Sequence, residues 1–263
     1  MAFTHPSSSV RRRPAARLRA FGGCGALAAL ALTASGCSVK GASDVNLIAG
    51  KQAFVAKCGS CHTLARASTK GTVGPNLDEA FAASLAEGLV PGSARSAIRG
   101  TVEGQIRVPN PEGAMPKDLA TGATLRDIAA YVAQVADAPG QDSGLLASAV
   151  EAPGAGKPVV EQSGKLQIPA SPTGQLAYVS SKATAKPGPA TIEMPNTSGV
   201  SHNIAIEPGA GGASGSGPIL GASTFTTKST ATISVTLKPG TYTFFCQAPG
   251  HRAAGMFGTL VVK

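Results

Sequence analysis

The spacing of apolar positions changes part-way along the chain. Between Leu47 and Val55, apolar and small residues (Leu47, Ile48, Gly50, Ala53, Phe54, Val55) recur at three- and four-residue intervals, which predicts a helix that Ser43 or Asp44 can cap. A second helix is predicted from Ser93 to Val102. A third runs from Thr124 to Ala136, where Leu125, Ile128, Ala129, Val132 and Val135 form an apolar stripe. After residue 165 the period falls to two: Ala190, Ile192, Met194; His202, Ile204, Ile206; Ile233, Val235, Leu237; Tyr242, Phe244, Cys246. These read as strands, Pro187-Gly188 and Pro239-Gly240 supply turns, and about seven short strands suit a Greek-key sandwich. Residues 139–164 carry Pro139-Gly140, Gly144, Pro153-Gly154, Gly156, Pro158 and Gly164 without sustained period, which predicts a linker. As a flexible coil it would span about 28 Å and hold its two ends at an effective concentration on the order of millimolar. The Gly/Ser-rich stretch 208–217 lacks the Gly-Lys-Ser/Thr ending of a phosphate loop and reads as a flexible surface loop.

At 263 residues the chain has room for two domains, and 33 Gly, 19 Pro and no Trp point to loop-rich construction. The net charge of +9 does not imply nucleic acid. Five arginines (Arg11, Arg12, Arg13, Arg17, Arg19) lie in the first 36 residues, and without them 18 bases stand against 14 acids. The excess that remains is in residues 165–263, with seven bases against two acids; such a face can steer encounter with an acidic partner.

The N-terminus, residues 1–36, reads as an export signal: a basic region through Arg19, an apolar stretch from Ala20 to Ala34, then small residues. Gly22, Gly23 and Gly25 interrupt that stretch and argue against a stable membrane-spanning helix. Ala34-Ser35-Gly36-Cys37 resembles a bacterial lipobox. The resemblance implies lipidation of Cys37, a short tether over 37–43, and a protein anchored to the membrane outside the cytoplasm. The arginines lack the hydrophobic residues that follow them in a twin-arginine signal, so general secretion is expected.

Cys58-Gly59-Ser60-Cys61-His62 is the most specific motif. Two cysteines three apart can form thioethers to haem vinyl groups while the next histidine ligates iron; a redox or zinc Cys pair has no need of that histidine. The order of a short helix with Gly50 and Phe54, this motif, Gly74-Pro75-Asn76-Leu77, a methionine loop and a last helix with Tyr131 resembles class I cytochrome c over residues 44–138. That resemblance implies an all-α fold and covalent haem c on Cys58 and Cys61. It also implies His62 and Met115 as axial ligands, and a Pro75 carbonyl that orients His62.

His202, Cys246, His251 and Met256 fit type 1 copper ligation: two imidazoles and a thiolate, with a weak thioether on the axis. Phe245-Cys246 ends a strand, the next two ligands share one loop, and Phe257 to Val262 returns as the last strand. This pattern resembles the plastocyanin and azurin family, the cupredoxins, over residues 165–263, and implies an all-β Greek-key sandwich. His202 on an upstream strand would be the first ligand, and Asn203 would tie the two ligand loops together. The gap from Cys246 to His251 is longer than in plastocyanins proper. Met194 reads as core.

Together the resemblances imply an electron carrier rather than an enzyme, passing single electrons between respiratory partners such as a quinol-cytochrome c reductase and a terminal oxidase or denitrification reductase. A copper-dependent reductase of the nitrite reductase kind needs several more histidines, and only His5 remains after His62, His202 and His251 are assigned. Copper delivery or sensing would favour Met-rich or His-rich tracts, of which the sequence has none.

Overall fold

A computed structural model describes residues 45–88, 91–136, 138 and 140–263; the expected export signal, Cys37 and its tether lie outside the described residues. Among the described residues no helix is long and apolar enough to cross a membrane.

The first half is helical: α1 (Leu47–Lys57), the two-residue strands β1 (Thr63–Leu64) and β2 (Thr69–Lys70), α2 (Ala82–Ala86), α3 (Pro91–Arg107) and α4 (Gly122–Val135). Ser43 and Asp44, the expected caps, lie outside the described residues, and Asn46 caps α1. Its side chain accepts from the Ala49 N–H at 3.0 Å, and its own N–H donates to Asp127 Oδ1 at 2.9 Å, so the cap also fixes α1 to α4. The two helices cross at Gly50, where a Cβ would collide with the Asp127 carbonyl; only glycine allows that approach. Buried Phe54 and Tyr131 pack across the same crossing with ring centroids 6.3 Å apart. The stripe Leu125, Ile128, Ala129, Val132 and Val135 is buried. α3 continues past Val102 to Arg107 because Ile106 is also buried and Glu103 pairs with Arg99 and Arg107 one turn either side.

The second half is a two-sheet sandwich. Its strands are β3 (Val159–Val160), β4 (Lys165–Gln167), β5 (Lys182–Ala185), β6 (Gly188–Pro195), β7 (Ala205–Pro208), β8 (Gly221–Ala222), β9 (Thr230–Leu237), β10 (Gly240–Phe245) and β11 (Phe257–Val262). They form sheets of order β3-β5-β11-β10-β7-β8 and β4-β6-β9. The β3–β5, β5–β11 and β4–β6 pairs are parallel and the rest antiparallel. β9 alternates exposed and buried residues throughout, and Leu166, Ile192, Met194, Ile206, Phe244 and Leu260 meet in one core between the sheets.

The segment 139–164, expected to be a free coil, is anchored at both ends. Asp142, its side chain 2% exposed, pairs with Lys51 Nζ at 2.9 Å and Arg66 Nε at 2.8 Å, and accepts from the Tyr131 hydroxyl at 3.1 Å. Burial alone would raise its carboxyl pKa. The Lys51, Arg66 and Tyr131 bonds outweigh that and hold it below the usual range. Further on, Ala155 bridges Ser180, and β3 joins the sheet beside β5.

Candidate metal centres

The C-x-x-C-H motif occupies the turn that ends α1. The Cys58 N–H donates to the Phe54 carbonyl at 2.8 Å, and the Cys61 and His62 N–H groups return to the Cys58 carbonyl at 3.0 and 2.9 Å. Cys58 is buried and Cys61 half-buried, both as free thiols; burial, with Cys61 adding, pushes the Cys58 thiol up to about 12. His62 Nδ1 lies 2.9 Å from the Pro75 carbonyl oxygen. A carbonyl only accepts, so Nδ1 carries the proton and Nε2 keeps a lone pair for a metal.

Segment 71–75 is shaped to this motif. A Cβ on Gly71 would fall 2.5 Å from the Cys61 carbonyl carbon, and one on Gly74 would collide with the His62 ring. Met115 lies in the loop between α3 and α4, half-buried against the helical core. Val73 and Val108, 67% and 76% exposed, are bare apolar side chains on the segments that carry Pro75 and lead to Met115. Two free thiols and an imidazole with its second nitrogen available are what a covalently held haem requires.

In the β half, β10 delivers Cys246, and the chain then makes one tight turn before β11. Gly250 (φ 78°) and Gly255 (φ 117°) bracket α5 (His251–Ala254) in the left-handed region, and Met256 follows, fully buried. The Cys246 N–H donates to the Met256 carbonyl at 3.1 Å and the Met256 N–H to the His251 carbonyl at 2.9 Å, which closes the loop on itself. His202 precedes β7 rather than lying on a strand. It is held by an isolated bridge to Thr226.

His202 Nδ1 and His251 Nδ1 stand 3.1 Å apart, and Cys246 Sγ is 4.0 Å from the first and 3.5 Å from the second. Among the described residues these three form the cluster able to hold a metal ion, and bonds of about 2.0–2.3 Å from one ion reach all three atoms. Burial, reinforced by His251, depresses the His202 pKa to about 4, and burial lowers that of His251. Both imidazoles are therefore neutral near pH 7, as metal ligands must be. Burial raises the Cys246 thiol, offset in part by backbone bonds from Asn203 and Ala248. His202 Nε2 is buried without a partner.

Asn203 joins the two ligand segments. Its Nδ2 donates to Gln247 Oε1 at 2.8 Å and to the Ser223 carbonyl at 3.1 Å, and its Oδ1 accepts from the Gln247 N–H at 2.8 Å. Tyr178, fully buried, donates to the Asn203 carbonyl at 2.9 Å and packs edge-on against Phe244.

The sequence reading missed a buried pair beside this turn. Arg252 forms an ion pair with Glu207, whose side chain is 1% exposed, stacks over the Phe245 ring at 3.8 Å and donates to the Gly212 carbonyl at 2.8 Å. The Gly211 N–H donates to Thr243 Oγ1 at 2.8 Å, so the 208–217 loop, expected to be flexible, is fixed against Glu207 and Arg252. Gly211 and Gly215 leave room for that carboxylate, which is a better account of the loop's composition than mobility.

A neutral His-Cys-His triangle on a β sandwich, behind a covalent-haem motif on a helical domain, defines a protein with two electron-transfer centres. Comparison with known families agrees. Residues 47–136 match the cytochrome c family, and residues 167–263 match the copper-binding proteins of the plastocyanin/azurin family. The chain is a fusion of a cytochrome c domain with a plastocyanin/azurin-family domain. No curated protein matches it. Among solved structures, auracyanin A, a blue copper protein from the green thermophilic photosynthetic bacterium Chloroflexus aurantiacus, is 27% identical over 41% of this chain and 100% of its own, with a TM-score of 0.32. Reduced auracyanin from Roseiflexus castenholzii is 25% identical over 40% and 94%, with a TM-score of 0.30. Rusticyanin from Thiobacillus ferrooxidans is 22% identical over 40% and 82%, with a TM-score of 0.31.

Proposed function

We propose that this chain is an electron carrier that works outside the cytoplasm, tethered to the membrane through Cys37, with one haem c and one type 1 copper. The observation that carries the reading is the buried triangle of His202 Nδ1, Cys246 Sγ and His251 Nδ1, whose edges are 3.1–4.0 Å. Met256, buried on the same turn, would hold the same ion weakly through its thioether. Cys58 and Cys61 hold the haem, and His62, oriented by the Pro75 carbonyl, is its proximal ligand. Met115 would be the second residue to hold the iron. Held by these residues, haem and copper would each supply a one-electron couple. The protein's own part is to hold the ligands rigid: Asn203 ties the two copper ligand segments, Gly74 admits the His62 ring, and Tyr178 anchors the Asn203 backbone. The partners we propose are a quinol-cytochrome c reductase as donor and a terminal oxidase or denitrification reductase as acceptor.

The test is an absorption spectrum of the chain produced with haem maturation and copper, oxidised and then reduced in steps. Sharp reduced c-haem bands and an intense blue thiolate-to-copper band that bleaches on reduction are expected. Haem bands with no blue band would overturn the copper assignment.

A further inference from the structure

The connector between the halves is hydrogen-bonded to both of them. On the helical side, Lys51 Nζ donates to the Leu146 carbonyl at 2.7 Å and Gln52 Nε2 to the Ala149 carbonyl at 3.0 Å. On the β side, Gln175 Nε2 donates to the Glu151 carbonyl at 3.1 Å, the Ser181 N–H to the Gly154 carbonyl at 3.0 Å and the Gly156 N–H to the Val179 carbonyl at 2.8 Å. Only Val150 separates the last backbone group held by α1 from the first held by the β half, and Val150 packs against the helical core. A tether of this kind sets an orientation.

The orientation it sets brings the two metal-bearing segments together. Gly250 immediately precedes the ligand His251, and a Cβ on it would lie 3.5 Å from Thr72 Oγ1. Thr72 stands between Gly71, packed on the Cys61 backbone, and Gly74, packed on the His62 ring. Alongside, a cleft of about 520 Å³ is lined from the haem side by Gly59, Thr63 and Thr69 and from the copper side by Leu176, Ala254 and Gly255. A second contact lies on the same side of the copper domain, where a Cβ on Gly174 would sit 3.1 Å from the Ala56 carbonyl oxygen near the end of α1.

We propose that this junction is an internal docking surface: the 250–255 turn is seated on the 69–74 edge of the haem site, so that each centre's first redox partner is the other centre of the same chain. The inference rests on the cofactor reading above. The exchange balances by itself: one electron leaves ferrous iron, which becomes ferric, and reaches Cu(II), which becomes Cu(I), with no proton and no third reactant. A separate donor or acceptor then needs to meet only one of the two sites.

The test compares the loaded full chain with a variant that opens the junction, made by inserting about twelve Gly/Ser residues between Val150 and Glu151 and replacing Gly174→Trp as a wedge at the contact with Ala56, away from both metal sites. Neither change touches a proposed ligand. Haem is photoreduced and the blue band followed. In the unmodified chain the bleaching rate is expected to be independent of protein concentration; the variant should keep both absorption bands while its rate drops by about tenfold or more. Two further readouts do not depend on turnover. The Cu(II) paramagnetic resonance signal should relax faster beside ferric haem in the unmodified chain than in the variant, and small-angle scattering from the metal-free chains should show the variant expanded. A bleaching rate proportional to protein concentration in the unmodified chain would overturn the proposal, as would an undiminished rate in a variant that scattering shows to be open. Absence of the blue band from the unmodified chain is a different failure, removing the copper site itself and this proposal with it.

Discussion

Asp142→Asn removes one charge and almost no volume, and the structure says which partner is left stranded. The carboxylate takes Lys51 and Arg66 together, but the two cations are not equally enclosed: the Lys51 side chain is 6% exposed and that of Arg66 is 19%. Arg66 can turn part of its guanidinium to water, so its share is that of a surface pair, about 0–1 kcal/mol. Lys51 keeps the Leu146 carbonyl, but among the described residues no second acid pairs with it to balance its charge. Breaking a buried pair from one side costs about 3–5 kcal/mol, and the surviving carbonyl bond puts the expected loss at the low end, about 3 kcal/mol.

Chemical denaturation, followed separately by the haem and blue bands, measures this loss without assuming that a chain with two cofactors unfolds in one step. The loss should appear chiefly in the haem band, because Lys51 and Tyr131 belong to the helical core. Adding Lys51→Met to Asp142→Asn should recover most of it, since an apolar side chain needs no counter-ion. A loss under about 0.5 kcal/mol by both probes would refute the claim that this carboxylate anchors the connector.

Because the Asp142 carboxyl is held below its unfolded value of about 3.9, its contribution is complete above that pH and disappears as pH falls through the folded pKa; acid titration of stability should show a loss confined below about pH 4. Gly74→Ala places a methyl against the His62 ring, so the reduced haem spectrum should change and the helical half should lose about 1–3 kcal/mol; an unaltered spectrum would remove Gly74 from the site. Arg252→Met leaves the Glu207 carboxylate buried and unpaired, which should cost about 3–5 kcal/mol and make residues 208–217 susceptible to protease, read by fragment mass. Asn203→Ala cuts the bonds between the two copper ligand segments; the blue band should shift, with about 1–3 kcal/mol lost from the β half in denaturation.

Local patterns were legible in the sequence and long-range partners were not. α1, α3 and α4 show in apolar spacing, and β9 and β10 in alternation, because each buries one face. Cys246, His251 and Met256 could be grouped because one turn carries all three, and His202, 44 residues before Cys246, was placed by its resemblance to the family's first ligand and by the scarcity of histidines. Asp142 gave no such signal: its partner Lys51 lies 91 residues earlier, and a Pro/Gly-rich stretch looks the same whether it is free or clamped by one distant ion pair. The same holds for Glu207 and Arg252, 45 residues apart, which turn a Gly/Ser-rich loop from a mobile segment into a fitted one. The cap of α1 was missed for a local reason: three residues able to cap stand within four positions, and Asp127 on a different helix decides that Asn46 is used.

The short strand β3 has a bearing on how the molecule can be taken apart. It forms the outer edge of the larger sheet beside β5, with Val159 opposite Ala183 and Val160 opposite Thr184, and just after it the Glu161 N–H donates to the Thr184 carbonyl at 2.9 Å. A fragment begun at Lys165 would strip that cover and leave the backbone of β5 as a bare template on which a second copy could pair. The natural seam lies near Val150, so residues usually counted as spacer belong to the copper domain. A copper domain excised there should stay monomeric, and one excised at Lys165 should self-associate.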